Sequence, residues 1–152
     1  MAKIIAEIHI LDNLEFEATF ADGEVVLFDV KTLFNKFPQF KALENNNLFS
    51  SLKIDGHGYG VSWNDDLDLA SEGIYSRGKH VRKVDPNIKI LVGQTISEIR
   101  NEKGISQREL SKKTGIMQAE ICKIEQGKGN PTLTTLEKIA KCLGRTVASL
   151  VI

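Results

Sequence analysis

Apolar and polar residues alternate through three short segments near the start of the chain, and this alternation is typical of strands with one buried face. The dipeptide Asp22-Gly23 separates the last two segments and predicts a tight hairpin turn between them. The sequence therefore predicts an antiparallel sheet whose strands lie at residues 4–10, 14–20 and 25–30.

A second antiparallel hairpin is predicted further along the first half of the chain. Two short apolar segments, residues 52–54 and 59–63, flank the glycine-containing stretch Asp55-Gly56-His57-Gly58. Short helices are expected at residues 31–36 and 67–75. The first half is therefore predicted to be a small α+β domain made of antiparallel hairpins and short helices.

In the second half of the chain the apolar residues recur at helical spacing instead. Ser106-Gln107-Arg108-Glu109 has the form of a capping box, which begins a second helix, and Gly115 ends that helix after two turns. A third helix is expected from Met117 to Gln126, with Ile121 and Ile124 inward. One helix precedes these and two follow, so five short helices are predicted.

Two stretches of the first half resemble a family of small bacterial domains that has no assigned function. They are Phe20-Ala21-Asp22-Gly23-Glu24-Val25 and the segment from Gly58 to Leu69, and the resemblance covers about residues 4–78. Members of that family occur alone or ahead of a helix-turn-helix, and some stand-alone members look like antitoxins. This resemblance implies a fold and gives almost no information about activity.

The second half resembles the phage Cro/repressor helix-turn-helix family, whose members are Xre-type regulators. The resemblance spans about residues 88–150 and rests on the segment from Ser106 to Ile116 together with Glu125, Gly127 and Asn130-Pro131-Thr132. It implies an all-α, five-helix, lambda-repressor-like domain that binds double-stranded DNA. In such domains the second helix crosses the DNA backbone and the third lies in the major groove.

The resemblance also assigns roles to individual residues. Arg100 and Glu125 match a structural ion pair that joins the first helix to the end of the third. Gln107 matches a residue that binds the DNA backbone at a helix N-terminus, where free amides favour a phosphate, and that orients a neighbouring side chain. The other residues expected to contact phosphates follow the third helix and are Gln126, Lys128 and Asn130.

The base-contacting residues are expected on the side of the third helix that Ile121 and Ile124 leave free. Adenine is a suitable partner for glutamine and guanine for lysine, whereas a glutamate either accepts from cytosine or repels phosphate. The other two residues offer only apolar contact, which departs from the more polar residues common in the family and leaves the base preference open. The predicted set is Met117, Gln118, Ala119, Glu120 and Lys123.

The distribution of charge along the chain supports its division into an α+β first half and a helical second half. The formal net charge is +0, which by itself argues against a nucleic-acid-binding protein, because such domains are usually basic. Residues 1–85, however, carry 14 acidic and nine basic side chains (net −5), whereas residues 86–152 carry six acidic and 11 basic ones (net +5). The asymmetry indicates two domains, of which the basic one faces a polyanion.

Several other classes of protein are disfavoured. No apolar run approaches the roughly 18–20 residues that span a bilayer, and Glu7 interrupts the apolar N-terminus, so neither membrane insertion nor a signal peptide is expected. Cys122 and Cys142 form no CxxC pair, so we expect reduced thiols and no metal site. The glycines around Gly58 and the acidic stretch 65–68 lack the spacing of phosphate or calcium loops. Because no catalytic constellation is found, no enzyme and no cofactor are expected.

The sequence therefore predicts a cytoplasmic, sequence-specific transcriptional regulator that acts as a repressor. Its domains are expected at residues 1–78 and 88–152, with a linker at 79–87, and it is expected to bind a pseudo-palindromic operator as a homodimer. The first domain would dimerise, or sense an effector or a protein partner. The alternative hypothesis is an antitoxin, whose first domain binds a toxin while the helix-turn-helix autoregulates the operon.

Overall fold

The computed structural model describes residues 2–151. These residues divide into two compact units, and the division falls between Pro86 and Asn87. Each unit has a hydrophobic core of its own, as independently folding domains require. The sequence predictions that extend to Met1 and Ile152 lie outside the described residues at those two positions.

Two antiparallel sheets form the framework of the first unit. They are connected by short helices and by 3₁₀ turns at Val30–Leu33, Pro38–Glu44 and Gly56–Gly58. In chain order, the strands and α-helices are β1 (Ile5–Ile10), β2 (Glu15–Phe20), β3 (Glu24–Asp29), α1 (Asn46–Phe49), β4 (Lys53–Asp55), β5 (Gly60–Ser62), β6 (Asp68–Ala70), α2 (Ser71–Arg77) and β7 (Lys79–Lys83).

The larger sheet has the strand order β1-β2-β3-β7, and the smaller one the order β4-β5-β6. Along β2 the side chains alternate between half-buried and buried, which confirms the pattern seen in the sequence. The buried side contributes Phe16, whose ring contacts Phe28 and Trp63 at centroid distances of 5.5 and 6.2 Å. Phe40 and Phe49 pack against the same tryptophan, so an aromatic cluster fills the centre of this core.

One prediction for the first unit was wrong, and one was right in type but not in its starting residue. Residues 79–83, expected to belong to a linker, form β7, which pairs antiparallel with β3. All five side chains of this strand are exposed, so no alternation marks it. The short helix expected within residues 67–75 is present as α2, but it starts only at Ser71, because the residues before it form β6 and pair with β5.

Five α-helices make up the second unit within the described residues, as predicted. They are α3 (Ile88–Glu102), α4 (Gln107–Thr114), α5 (Gln118–Glu125), α6 (Leu133–Cys142) and α7 (Val147–Val151). The fold class expected from the sequence, an α+β region followed by a five-helix unit, is therefore confirmed.

The core of the second unit is assembled from one apolar stripe on each helix. Its fully buried members, at 0–1% exposure, include Ile96, Leu110, Ile121, Ile139 and Leu150. Leu133 is by contrast 70% exposed, because it occupies the first helical position of α6, beside the capping residue Thr132.

Candidate nucleic-acid interface

A short turn connects α4 to α5 and sets the angle between them. Ser106 caps α4, since its Oγ accepts from the Glu109 N–H at 3.0 Å. Gly115 ends the helix with a φ of +75°, and its N–H donates to the Ser111 carbonyl at 2.9 Å. Residues other than glycine adopt this left-handed geometry only at an energetic cost. The chain therefore reverses within three residues and presents α5 immediately after α4.

Helix α5 is sharply two-sided. Ile121 and Ile124 are 0% and 3% exposed and lie in the core. The opposite side is exposed to solvent, beginning with Met117, which is 73% exposed just ahead of the helix. That exposed side holds all the residues predicted to contact bases: Met117, Gln118, Ala119, Glu120 and Lys123.

A nearly buried ion pair fixes the end of α5 to α3. Arg100 donates from Nε to Glu125 Oε1 at 2.6 Å and from Nη2 to Oε2 at 3.1 Å. The two side chains are only 11% and 6% exposed. Arg100 Nη1 also donates to the Ile105 carbonyl at 2.8 Å. This is the ion pair expected from the family resemblance, and it connects α3, the following loop and α5.

Gln107 joins the same network from the first turn of α4. Its Nε2 donates to Glu125 Oε2 at 2.8 Å, so this side chain orients the carboxylate that also holds Arg100. The backbone N–H groups of Gln107 and Arg108 precede the first intrahelical bond of α4. Gln107 therefore offers a ligand its main-chain N–H, while its side-chain amide is engaged inside the protein.

The loop after α5 is held against the helix it follows. The N–H groups of Lys128 and Gly129 both donate to the Lys123 carbonyl, at 2.9 and 3.1 Å. The side chains of Lys128 and Asn130 are exposed. Gln126 is half-buried, and its Nε2 points back to Cys122 Sγ at 3.4 Å. Of the three predicted phosphate-contacting residues in this loop, two are thus fully available at the surface.

Gly93 is a structural residue of this site that sequence reasoning missed. A Cβ atom at this position would lie 2.2 Å from the Ile124 carbonyl oxygen and 2.8 Å from that of Glu125. The absence of a side chain therefore lets α3 contact the C-terminal end of α5 directly. The available signal was a glycine inside an otherwise regular helix, where it costs about 1 kcal/mol relative to alanine.

Neither a metal-binding cluster nor a membrane-spanning helix is found among the described residues. No group of three or more His, Cys, Asp or Glu side chains within residues 2–151 is arranged to hold a metal ion. None of the described helices is both long and apolar enough to cross a membrane. Cys122 and Cys142 are both free thiols.

A capped helix, a glycine turn and a second helix with one exposed polar side define the helix-turn-helix class. A family model described as Helix-turn-helix matches residues 96–150. The uncharacterized HTH-type transcriptional regulator y4dJ of Sinorhizobium fredii is 35% identical over 65 residues, which are 43% of this chain and 84% of that protein. The chain therefore belongs to the Xre-type helix-turn-helix family, and its first half, residues 5–80, matches the family described as Protein of unknown function (DUF2442).

Two further similar proteins each match about two fifths of this chain. The immunity repressor protein of Bacillus phage phi105 is 38% identical over 60 residues, which are 40% of this chain and 42% of the repressor. A crystal structure of SinR, the master regulator for biofilm formation, in complex with DNA is also similar. The match has 35% sequence identity and a TM-score of 0.39, and it covers 40% of this chain and 98% of the SinR chain. The chain thus spans most of the y4dJ regulator and less than half of the phage repressor.

Proposed function

We propose that this protein is a sequence-specific DNA-binding repressor that inserts α5 into the major groove. The observation that carries the proposal is the exposed side of α5, whose polar side chains lie opposite two core isoleucines while the Arg100–Glu125 pair fixes the helix end. A recognition helix must be rigidly oriented to discriminate bases, and a buried network provides that orientation.

The exposed side chains of α5 suit direct contact with base edges. Gln118 in the first turn can form two hydrogen bonds with adenine, and Lys123 one turn further can donate to guanine. Glu120 accepts from cytosine or rejects backbone approach in the wrong register. Met117 and Ala119 supply apolar contact, for which the thymine methyl group is the natural partner.

The residues around this helix suit contact with the phosphate backbone. Lys128 and Asn130 are exposed in a loop that is hydrogen-bonded to the Lys123 carbonyl, so their distance from the base-contacting residues is restrained. The main-chain N–H of Gln107 lies at the positive end of α4. Gln126 is the least available of the proposed phosphate-contacting residues, because its side-chain amide is directed to Cys122. Such contacts set the register of the protein on DNA and carry no sequence information.

The first unit is proposed to face away from DNA. Its net charge of −5 would be repelled by phosphates, and this charge is also what favours the antitoxin alternative, in which a basic toxin binds the first unit. The two proposals share one DNA interface. They are separated by the genes that flank the coding sequence: a short flanking reading frame whose product is toxic alone and is neutralised by co-expression of this protein supports the antitoxin, and the absence of any such product supports the repressor.

Selection of bound DNA from a random pool tests the proposal directly, with Lys123→Ala and Lys128→Ala as a matched pair of variants. We expect the wild type to enrich a pseudo-palindrome with half-sites about 34 Å apart. Lys123→Ala should relax the preference at one base position. Lys128→Ala should keep the preference, weaken binding uniformly and reduce the slope of log K against log salt by about 1.

The outcome that contradicts DNA recognition is a wild-type protein that binds the enriched and the random pools equally at physiological salt. A change of base preference caused by Lys128→Ala alone would overturn the assignment of roles while leaving DNA binding intact.

A further inference from the structure

Within the described residues, the larger sheet of the first unit has two edge strands, β1 and β7. An open edge presents unpaired backbone N–H and C=O groups, to which a further strand can hydrogen-bond. The two edges differ in length, charge and apolar character, and these differences indicate what each can accept.

The outward-pointing backbone groups of β1 follow from its register with β2. The Leu11 N–H donates to the Glu15 carbonyl at 2.9 Å, so these two residues occupy a hydrogen-bonded position. His9 lies opposite Glu17 two residues away in the same register. Opposed residues in an antiparallel pair alternate between hydrogen-bonded and non-hydrogen-bonded positions. His9 therefore bonds to β2, whereas the N–H and C=O groups of Ile8 and Ile10 point to the open edge.

The beginning of this edge is already covered by the same unit. Gly58 approaches Ile5 so closely that a Cβ atom on the glycine would lie 2.6 Å from the Ile5 carbonyl oxygen. A bulge between Ile5 and Glu7 then separates the covered part of β1 from the rest. The remaining stretch of β1, centred on Ile8, is hydrogen-bonded to a strand on its β2 side only.

This stretch is complementary to itself. If two copies pair antiparallel about a two-fold axis at Ile8, each Ile8 donates to and accepts from the other. Glu7 then lies opposite His9 of the second copy, and His9 opposite its Glu7, in the non-hydrogen-bonded positions where side chains are closest. Both side chains are exposed, and in the part of the chain that the structure describes neither forms a salt bridge.

The apolar side of β1 fits the same partner. Ile8 and Ile10 are only half-buried, although they pack against the core of their own unit. In the paired arrangement the Ile8 side chains of the two copies become neighbours on the core side of one continuous sheet. The pairing therefore covers apolar surface that a single copy leaves in water.

The other edge strand, β7, is unsuited to pairing with a second copy of itself. All of its ionisable side chains are basic (Lys79, His80, Arg82 and Lys83), and every residue of the strand is exposed. Two copies of β7 paired antiparallel would set like charges opposite each other, which is destabilising. Charged edges of this kind commonly prevent association in natural sheets.

We propose that two copies of this chain associate through β1, in antiparallel register about Ile8. The proposal goes beyond DNA recognition and does not depend on it, since no element of the second unit takes part. Its consequence for the proposed function is that one particle carries two helix-turn-helix units, as a pseudo-palindromic site requires.

Sedimentation equilibrium of the full chain without DNA tests the pairing. Glu7→Lys and His9→Glu each place two like-charge pairs across the axis, so we expect each to raise the dimer dissociation constant about tenfold. The double variant E7K/H9E restores two opposite-charge pairs, and its dissociation constant should return to within about threefold of the wild type.

Hydrogen exchange of the wild type supplies a readout that is independent of the variants. The amide of Ile8 should exchange more slowly as the protein concentration rises, because it is bonded only in the dimer. A wild type that stays monomeric at about 100 μM, well above an ordinary dimer Kd, overturns the proposal. A dimer that neither single variant weakens, or one whose Ile8 amide exchanges at a constant rate, also overturns it and leaves the edge to a different protein.

Discussion

The two units each contain an arginine that holds a glutamate with two hydrogen bonds, and the surroundings of the two pairs are opposite. In the first unit Arg82 Nη1 and Nη2 donate to the two Glu17 oxygens at 2.9 Å each, with side chains 54% and 19% exposed. In the second unit Arg100 and Glu125 are 11% and 6% exposed. A two-bond arginine–glutamate pair thus occurs once near the surface, through both terminal nitrogens of the arginine, and once in the interior, through Nε and Nη2.

Hydrogen-bond geometry alone therefore does not determine how much an ion pair contributes to the free energy of unfolding. Water screens the Arg82–Glu17 pair, so its formation changes the free energy of unfolding little. Removing one member of the Arg100–Glu125 pair leaves a buried charge without compensation. The first unit depends on its aromatic core, whereas the second also depends on one polar network.

Replacing Arg100 with alanine is the strongest test of this contrast. We expect a loss of about 3–5 kcal/mol from the second unit, because the buried Glu125 would lose its arginine partner. Far-UV circular dichroism follows this unit, which holds most of the helix, and Trp63, the single tryptophan, reports on the first unit. Urea unfolding should therefore show an earlier dichroism transition and an unchanged fluorescence transition.

The matched control for that prediction is Arg82→Ala, which should leave both transitions close to those of the wild type. If Arg82→Ala shifted the fluorescence midpoint as far as Arg100→Ala shifts the dichroism midpoint, burial would not be the deciding variable.

Two helical glycines provide a second, smaller contrast. Gly93→Ala should destabilise the second unit by about 1–3 kcal/mol, because the new Cβ would overlap the Ile124 carbonyl oxygen. A Cβ atom at Gly73 in α2 would have nothing within 4 Å, so Gly73→Ala should stabilise the first unit by about 0.4–1 kcal/mol. The same two spectroscopic probes measure both, and an increase in stability from Gly93→Ala would contradict the close approach of α3 and α5.

The smallest effect expected is a pH dependence confined to the first unit. Hydrogen bonds to the Glu24 carboxylate and then to the Tyr75 carbonyl raise the pKa of His80 above 6.5. A raised pKa in the folded state means that the stabilisation is complete below pH 6.5 and is lost as the pH rises through the folded value. The fluorescence midpoint in urea should therefore fall as the pH rises from below 6.5 through the raised folded-state pKa of His80.

His80→Gln serves as the control, since glutamine does not titrate. Its midpoint should be flat across the same pH window. A wild-type profile that is already flat there would contradict a cationic His80 bound between Glu24 and Tyr75.

The parts of the molecule that the sequence predicts well depend on residues close together in the chain. The α4–turn–α5 segment is an example, because the Ser106 cap and the left-handed Gly115 act within a few residues. The exposed side of α5 followed from the spacing of Ile121 and Ile124 alone. In each case a local rule and the final fold agree.

The parts that were missed depend on distant neighbours. Strand β7 exists because β3 offers it an edge, and its own exposed, basic residues give no periodic signal. Gly93 has meaning only once α5 lies against α3. Gln107 was expected to orient a neighbouring side chain as well as to bind the DNA backbone, but the identity of that neighbour, Glu125, could not be predicted because it is 18 positions away.

The place of β7 also fixes an order of events during synthesis. Until Lys83 has been made, β3 is an open edge on which the fully buried Val25 and Val26 would be accessible to other chains. A fragment that stops at residue 78, or a nascent chain arrested there, is therefore expected to aggregate. The first unit can therefore close only when translation has almost reached the start of the second unit at Asn87.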